Sequence, residues 1–301
     1  MPGRRQSTPD PRELGRLLEN SSYIADPSML TTLYIALTLK RPLLVEGEPG
    51  CGKTELAKVL SDVLSTDLNR LQCYEGLDVN STIYEWDYLR QLLKIKMEEG
   101  RSSSREIEPE IFSRRFLLKR PLLKAVTHRG KNPPVLLIDE VDRADEEFEG
   151  FLLEFLGEFQ VTVPELGTFR ARRPPVVVIT SNRTRELGDG LRRRCIYLRV
   201  DLPSVEKELM IVRMKVPGIR EKLAKEVVHM MEKLRKMEML TKKPGVAETI
   251  DWASALLALG REELDRQSVE ETLGCVVKTS DELQQLQLQD LDAVIAEVKA
   301  S

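Results

Sequence analysis

The sequence predicts an α/β fold in which a parallel sheet carries a phosphate-binding loop and an all-helical region follows. Three observations predict it. The octapeptide Gly47-Glu48-Pro49-Gly50-Cys51-Gly52-Lys53-Thr54 fits the pattern G-x-x-x-x-G-K-[S/T]. Short apolar runs, bounded by proline or polar residues, alternate with helical material as far as Pro203. Beyond Pro203 only helical periodicity remains.

The opening residues through Pro11 are polar, basic and proline-containing, which predicts a loose lead-in. Helices are expected near Arg12 to Glu19 and over Pro27 to Leu39, where apolar residues recur at helical spacing. Pro42 to Val45 reads as a buried strand, Glu55 to Leu60 as the helix after the loop, and Leu68 to Gln72 as a second strand. Glu75 to Asn132 is long, polar and basic, with helix-like pieces at Trp86 to Met97 and Phe116 to Val126 and a serine-rich mobile loop at Arg101 to Arg105. Val135 to Ile138, Val176 to Ile179 and Ile196 to Val200 complete the strands, at spacings suited to crossover connections. Helices then follow at Val205 to Val216, Arg220 to Met239, Ala247 to Leu259, Val269 to Lys278 and Asp281 to Lys299. The expected organisation is a flexible segment and lead-in over 1–26, a nucleotide-binding α/β domain over 27–203 and a helical domain over 204–301.

Composition narrows the class. The chain has 301 residues, 32% of them charged, with a formal net charge of −3, which argues against a general nucleic-acid binder. Charge is unevenly placed: Arg90 to Lys131 holds 12 Lys/Arg against 5 Asp/Glu, and Asp139 to Glu165 holds 10 Asp/Glu against one Arg. The two blocks could pair within a subunit, pair between neighbours, or form separate solvated faces. No apolar stretch reaches the length of a membrane span and the N-terminus lacks an apolar signal core, so a soluble, cytoplasmic protein without a membrane partner is expected. Cys51, Cys73, Cys195 and Cys275 are far apart and form no CxxC pair, which speaks against structural zinc and for reduced thiols. Cys51 lies inside the phosphate loop, where a helix N-terminus and a lysine could lower its pKa; a small neutral loop residue is the favoured explanation.

The loop's residue types suit a nucleoside triphosphate. Glycines let backbone N–H groups turn toward a polyphosphate at a helix N-terminus. Lys53 would reach the β- and γ-phosphates, and the Thr54 hydroxyl would take one position on Mg²⁺. Val135 to Ile138 ends in Asp139-Glu140. Asp139 can hold Mg²⁺ through water and Glu140 can orient and deprotonate the attacking water. Val176 to Ser181 leads to Asn182, whose amide could hold that water, or which could instead cap the following turn. Arg192-Arg193-Arg194 precede the last strand, a position from which an arginine could enter a neighbour's nucleotide site.

In this order the motifs resemble those of the AAA+ ATPases, over nearly the whole chain. The sequence is more closely similar to the MoxR group, and within it to CoxD-like members. The marks are Tyr23-Ile24-Ala25-Asp26, Leu71 to Leu77, Phe159 to Glu165 and Gly245 to Trp252. The resemblance implies a P-loop AAA+ core with a five-stranded parallel sheet and a helix-2 insertion, then an all-α lid. It also implies a homo-oligomeric ring, often a hexamer, with ATP at the interfaces. By position Lys53 and Thr54 match the Walker A residues, Asp139 and Glu140 the Walker B pair, and Asn182 the sensor asparagine. Arg194 best matches the arginine finger, with Arg193 as alternate, and Tyr23 to Asp26 lie where such proteins contact adenine.

Members of the group are regarded as chaperone-like remodellers working with von Willebrand factor A domain proteins. CoxD-like members are associated with maturing the metal centre of molybdenum-containing dehydrogenases, so the implied client is a metalloenzyme. One departure stands out: many lids carry a sensor arginine where this chain has Gly245 to Trp252, which contains none. A nucleic-acid-linked motor or loader and a non-motor ATP switch are the alternative functions.

Overall fold

A computed structural model describes residues 9–99, 104–287 and 291–300. Of the loose start expected through Pro11, residues 1–8 fall outside these, and of the mobile loop expected over Arg101 to Arg105, residues 101–103 do; Pro11 instead begins a helix, and Ser104 and Arg105 open another. Two compact units are present. One takes in Asp26–Glu46 and Thr54–Arg199, and the other Leu18–Ala25, Gly47–Lys53 and the chain from Val200 onward.

In the first unit α2 (Pro27–Leu39), preceded in the chain by α1 (Pro11–Asn20), leads into β1 (Leu43–Glu46), and α3 (Lys53–Val63) leads to β2 (Leu68–Gln72). The insertion then comprises α4 (Val79–Ile83), β3 (Tyr84–Trp86), α5 (Tyr88–Glu98), α6 (Ser104–Ile111), β4 (Leu117–Lys119) and α7 (Pro121–Thr127). After it come β5 (Val135–Asp139), a 3₁₀ turn (Val141–Arg143), α8 (Glu146–Glu158), β6 (Gln160–Val163), β7 (Gly167–Arg170), β8 (Val176–Ser181), α9 (Asp189–Arg194) and β9 (Ile196–Arg199).

Five strands form one parallel sheet in the order β2-β5-β8-β1-β9, the expected α/β architecture. Central strands covered on both faces must be apolar at every position rather than at alternate ones. Accordingly β5 is buried throughout and all four residues of β1 are buried. The edge strands β2 and β9 tolerate Asn69, Arg70 and Arg199. This register aligns Gln72 with Asp139 and Glu46 with Ser181, so the strands' carboxyl ends, where ligands bind in such sheets, fall at one level.

Two helix expectations in the insertion are corrected. Trp86 ends β3 and the helix begins at Tyr88, capped by Asp87 accepting from the Arg90 amide at 3.1 Å. Phe116 to Val126 is not one helix: Leu117–Lys119 pairs antiparallel with Tyr84–Trp86, and α7 starts only at Pro121. Proline at the first helical position fixes that start, because its missing N–H has no partner to lose there. The β6–β7 hairpin was not anticipated; Phe159, at φ 48°, ends α8, and Gly167, at φ 80°, opens the return strand.

The second unit continues with α10 (Val205–Lys215), α11 (Glu221–Lys236), α12 (Val246–Ala258), α13 (Arg266–Thr272), a 3₁₀ turn (Leu273–Cys275), α14 (Ser280–Gln287) and α15 (Leu291–Ala300). The single helix expected over Val269 to Lys278 is instead α13 plus that turn. Its core surrounds Trp252, which is fully buried and donates from Nε1 to the Thr272 hydroxyl at 2.7 Å. No helix among the described residues is long and apolar enough to cross a membrane.

Candidate functional site

The phosphate loop belongs to the helical unit. Gly50 and Gly52 adopt φ of 77° and 93°, which any side chain would strain, and a Cβ at Gly47 would lie 2.0 Å from the Val200 carbonyl oxygen. The three glycines of the motif are therefore demanded by geometry. Glu48 and Pro49 make the exposed shoulder of the loop. Lys53 is buried and folds onto its own loop, Nζ donating to Gly47 O at 2.7 Å and Glu48 O at 2.6 Å. An ammonium placed on loop carbonyls is within reach of any phosphate that enters the loop.

Burial pushes the Cys51 thiol above its ordinary pKa, outweighing the opposing pull of Lys53 and the loop amides. The lowered-pKa reading of Cys51 is thus corrected: desolvation wins, and the residue is a buried neutral thiol. Cys73 and Cys195 are pushed by burial to about 12.

Thr54, the next residue in the chain, belongs to the sheet unit and meets Asp139. Its Oγ1 lies 3.1 and 3.3 Å from the two carboxylate oxygens. Asp139 ends β5 almost fully buried and receives two further sets of donors. The Thr180 hydroxyl gives a hydrogen bond of 2.5 Å, and Arg70 gives two, from Nε at 3.0 Å and Nη2 at 2.7 Å. A buried carboxylate without such partners would be costly. Arg70 and Thr180 were not singled out by sequence reasoning. Strand pairing puts β2 and β8 beside β5, a neighbourhood that no single segment of the sequence shows.

A hydroxyl and a carboxylate side by side are hard oxygen donors, and they fit Mg²⁺, which takes one or two protein ligands and fills its octahedron with water and phosphate oxygens. No group of three or more His, Cys, Asp or Glu side chains suited to a metal occurs among the described residues.

Glu140 sits in the left-handed region at φ 54° and ψ 50°, a conformation costing a non-glycine residue about 1–2 kcal/mol. Its amide donates to the Thr180 hydroxyl at 2.8 Å, so one hydroxyl fixes both acids of the pair. The carboxylate is partly exposed, with Arg143 at 3.0 Å.

Asn182 follows β8. Its backbone N–H donates to Asp142 at 3.1 Å, and the Thr184 amide and hydroxyl reach the same carboxylate at 2.9 and 2.7 Å. Burial raises the Asp142 carboxyl, but these donors outweigh it and hold the group below the usual aspartate value. The turn is capped by Asp142 and by Ser181, whose Oγ accepts from the Arg183 amide at 3.0 Å. The Asn182 carboxamide makes no hydrogen bond among the described residues and is half-buried.

The arginines stand on α9. Arg194 donates to the carbonyl of Leu153 in α8, and Arg193 is 84% exposed with Asp189 only within 3.8 Å. Arg41 caps the helix end, reaching the carbonyl oxygens of Arg193 and, at 3.1 Å, Arg194. Thr54, Asp139 and Glu140 are therefore brought together and Asn182 is tied through Asp142 to the turn after Glu140. Arg193 and Arg194 share no hydrogen bond with them among the described residues.

Several cations of the basic block have acidic partners among the described residues. Lys94 meets Glu98 and Glu110, Arg115 meets Glu110, and Arg120 meets Glu85.

Residues 42–195 match the family model described as AAA domain (dynein-related subfamily). An uncharacterized protein of Staphylococcus aureus is 26% identical over 247 residues, 78% of this chain and 82% of its own. One of Staphylococcus saprophyticus is 23% identical over 250 residues, 80% and 86% respectively. Among solved structures, a point mutant of RuvB from Thermotoga maritima superposes with a TM-score of 0.52 at 17% identity, covering 85% of this chain and 71% of its own, a likeness of fold.

Proposed function

The chain belongs to the dynein-related subfamily of AAA domains and is an ATPase, and from that premise we propose that it spends ATP as a ring-forming, chaperone-like remodeller of the MoxR type. The observation that carries the hydrolytic part is Asp139 receiving Thr54 and Thr180 together, with Glu140 held on the adjacent residue by that same Thr180 hydroxyl.

The proposed chemistry follows from these placements. Loop amides and Lys53 bind the phosphates, and Thr54 and Asp139 hold Mg²⁺. The metal, when bound, neutralises charge developing on the β- and γ-phosphate oxygens. Glu140 accepts a proton from the attacking water through its carboxylate, and the unengaged Asn182 carboxamide orients that water against the γ-phosphate. Arg194, or Arg193 in its place, stabilises the transferring phosphoryl group of an adjoining subunit, which requires a ring, most simply a hexamer. The proposed division is a lead-in over 1–26, a nucleotide-binding domain over 27–203 and a lid over 204–301.

For the partner, we place docking on the insertion. Helix α5 exposes Leu89, Leu92, Leu93 and Met97 beside the cations Arg90 and Lys96. A second basic cluster contains Lys119, held below the usual lysine value by burial and by repulsion from Arg129 and Arg114. Apolar residues with surplus positive charge suit an acidic protein surface. The proposed partners are a von Willebrand factor A domain protein and a client metalloenzyme such as a molybdenum-containing dehydrogenase.

The test is retention of partners on an ATP-trapped Glu140→Gln ring, repeated with Arg114, Arg115, Lys119 and Arg120 reversed in charge. Recovery of a von Willebrand factor A protein or a molybdenum hydroxylase subunit, lost on charge reversal while basal hydrolysis persists, supports the reading. ATP turnover stimulated by DNA instead would favour a nucleic-acid motor. Full working activity of Glu140→Gln without hydrolysis would favour an ATP switch.

A further inference from the structure

The helical unit touches its phosphate loop through backbone at Gly245 and Val246, with the Glu248 carboxylate beside them. The Val246 amide donates to the Gly50 carbonyl at 2.9 Å. The chains are so close that a Cβ on Gly245 would lie 2.6 Å from Gly50 Cα, and one on Gly50 would lie 2.8 Å from Gly245 Cα. In a trans peptide the C=O of one residue and the N–H of the next point in opposite directions. Holding the Gly50 oxygen on Val246 therefore aims the Cys51 N–H the other way. Cys51 lies in the run whose amides form the cradle of a phosphate loop.

What places Val246 is a buried polar cluster joining three helices. Arg235 of α11 donates from Nε to the Pro244 carbonyl at 2.7 Å and grips Glu208 of α10 with both terminal nitrogens, at 2.5 and 2.7 Å. Thr249 of α12 donates to Glu208 at 2.5 Å and lies 3.2 Å from Arg235 Nη2. Glu208 is 1% exposed and Thr249 is fully buried. A buried ion pair is a poor means to stability alone, since well-packed apolar residues often serve as well or better. It is a good means to position, because the planar guanidinium fixes all its acceptors at once. Here those acceptors include the carbonyl immediately before Gly245.

We propose that Arg235, Glu208 and Thr249 are positioning residues for nucleotide binding: they set the Gly245-Val246 turn so that its backbone orients the phosphate loop, in a chain whose Gly245 to Trp252 segment contains no arginine. The inference rests on the reading of Gly47 to Thr54 as a nucleotide site.

The discriminating variant is Val246→Pro. Val246 is the first residue of α12, where proline suits the helix, and Gly245, at φ −88° and ψ −174°, already has the extended backbone that a residue before proline requires. The substitution replaces the N–H that reaches Gly50 by a ring carbon, which an oxygen 2.9 Å from the nitrogen cannot accommodate, so the Gly50 peptide is released and pushed away. Loss of the hydrogen bond together with displacement of the Gly50 carbonyl predicts a rise of about tenfold or more in the KM for ATP and in the Kd of a fluorescent ATP analogue, with kcat changed far less and a melting temperature lowered but still that of a folded protein. The apolar triple variant Glu208→Leu, Arg235→Met, Thr249→Val should remain folded and show the same KM rise. Wild-type KM and Kd in Val246→Pro overturn the proposal while leaving the nucleotide site intact. A wild-type protein that binds the analogue no better than Lys53→Ala overturns the nucleotide reading and this inference with it.

Discussion

Thr180→Val removes one hydroxyl and leaves the shape of the side chain almost unchanged. That hydroxyl donates to Asp139 at 2.5 Å and accepts from the Glu140 amide at 2.8 Å, in a position 1% exposed. A hydrogen bond to a charged group is worth about 1.5–3 kcal/mol and a neutral one about 1 kcal/mol, so the loss should be about 3 kcal/mol. Against a typical domain stability of about 5–15 kcal/mol this is large but survivable. The functional cost should be steeper than the fold's, because the same bond helps hold Glu140 in its left-handed conformation. We expect kcat to fall by about ten- to a hundredfold, with a lowered urea midpoint and an unchanged denaturant slope. Thr180→Ser, which keeps the oxygen, should lie within about threefold of wild type. Phosphate release under saturating ATP and Mg²⁺, with urea unfolding on the same samples, measures both. Wild-type turnover and midpoint in Thr180→Val would refute the reasoning, since the hydroxyl would then organise neither acid.

Three other outcomes are expected. Asn182→Ala should lower kcat by about a hundredfold with no change in melting temperature, because the carboxamide supports nothing else among the described residues; a destabilised protein would show that it is a turn cap. Asp142, whose folded pKa is depressed, contributes stability that is present above its unfolded value near 3.9 and lost as pH falls through the lower folded value. The stability difference between wild type and Asp142→Asn should therefore be constant from about pH 7 to 5 and shrink below about pH 4; a difference that grows on acidification would contradict the sign. With Cys51, Cys73 and Cys195 buried and Cys275 partly exposed, iodoacetamide at pH 8 should label Cys275 first, and rapid labelling of Cys51 would contradict its assignment as a neutral loop residue.

What the sequence made legible was whatever local pattern controls. β1, β5 and β8 are continuous apolar runs because both sheet faces are covered, and that run length is visible without any structure. The loop's glycines are legible because φ beyond 70° at Gly50 and Gly52 leaves little choice of residue. The insertion was not. Leu117 and Lys119 take strand geometry only because Trp86 and Tyr84 lie opposite them, a pairing about 30 residues distant in sequence. Arg70 and Thr180 escaped notice because they reach Asp139 across strand neighbours, and the strand order β2-β5-β8 that makes them neighbours is not written in any one segment. Gly245 to Trp252 could be recognised only as a mark; the reasons for Gly245 and Trp252 are a backbone approach to Gly50 and a core position.

The central claim is that Glu140 converts bound ATP to ADP and phosphate. Phosphate release by Glu140→Gln, with ATP binding followed in the same sample, tests it most directly. Retained binding with turnover reduced by about a hundredfold or more is the predicted result. Wild-type turnover in Glu140→Gln would contradict it.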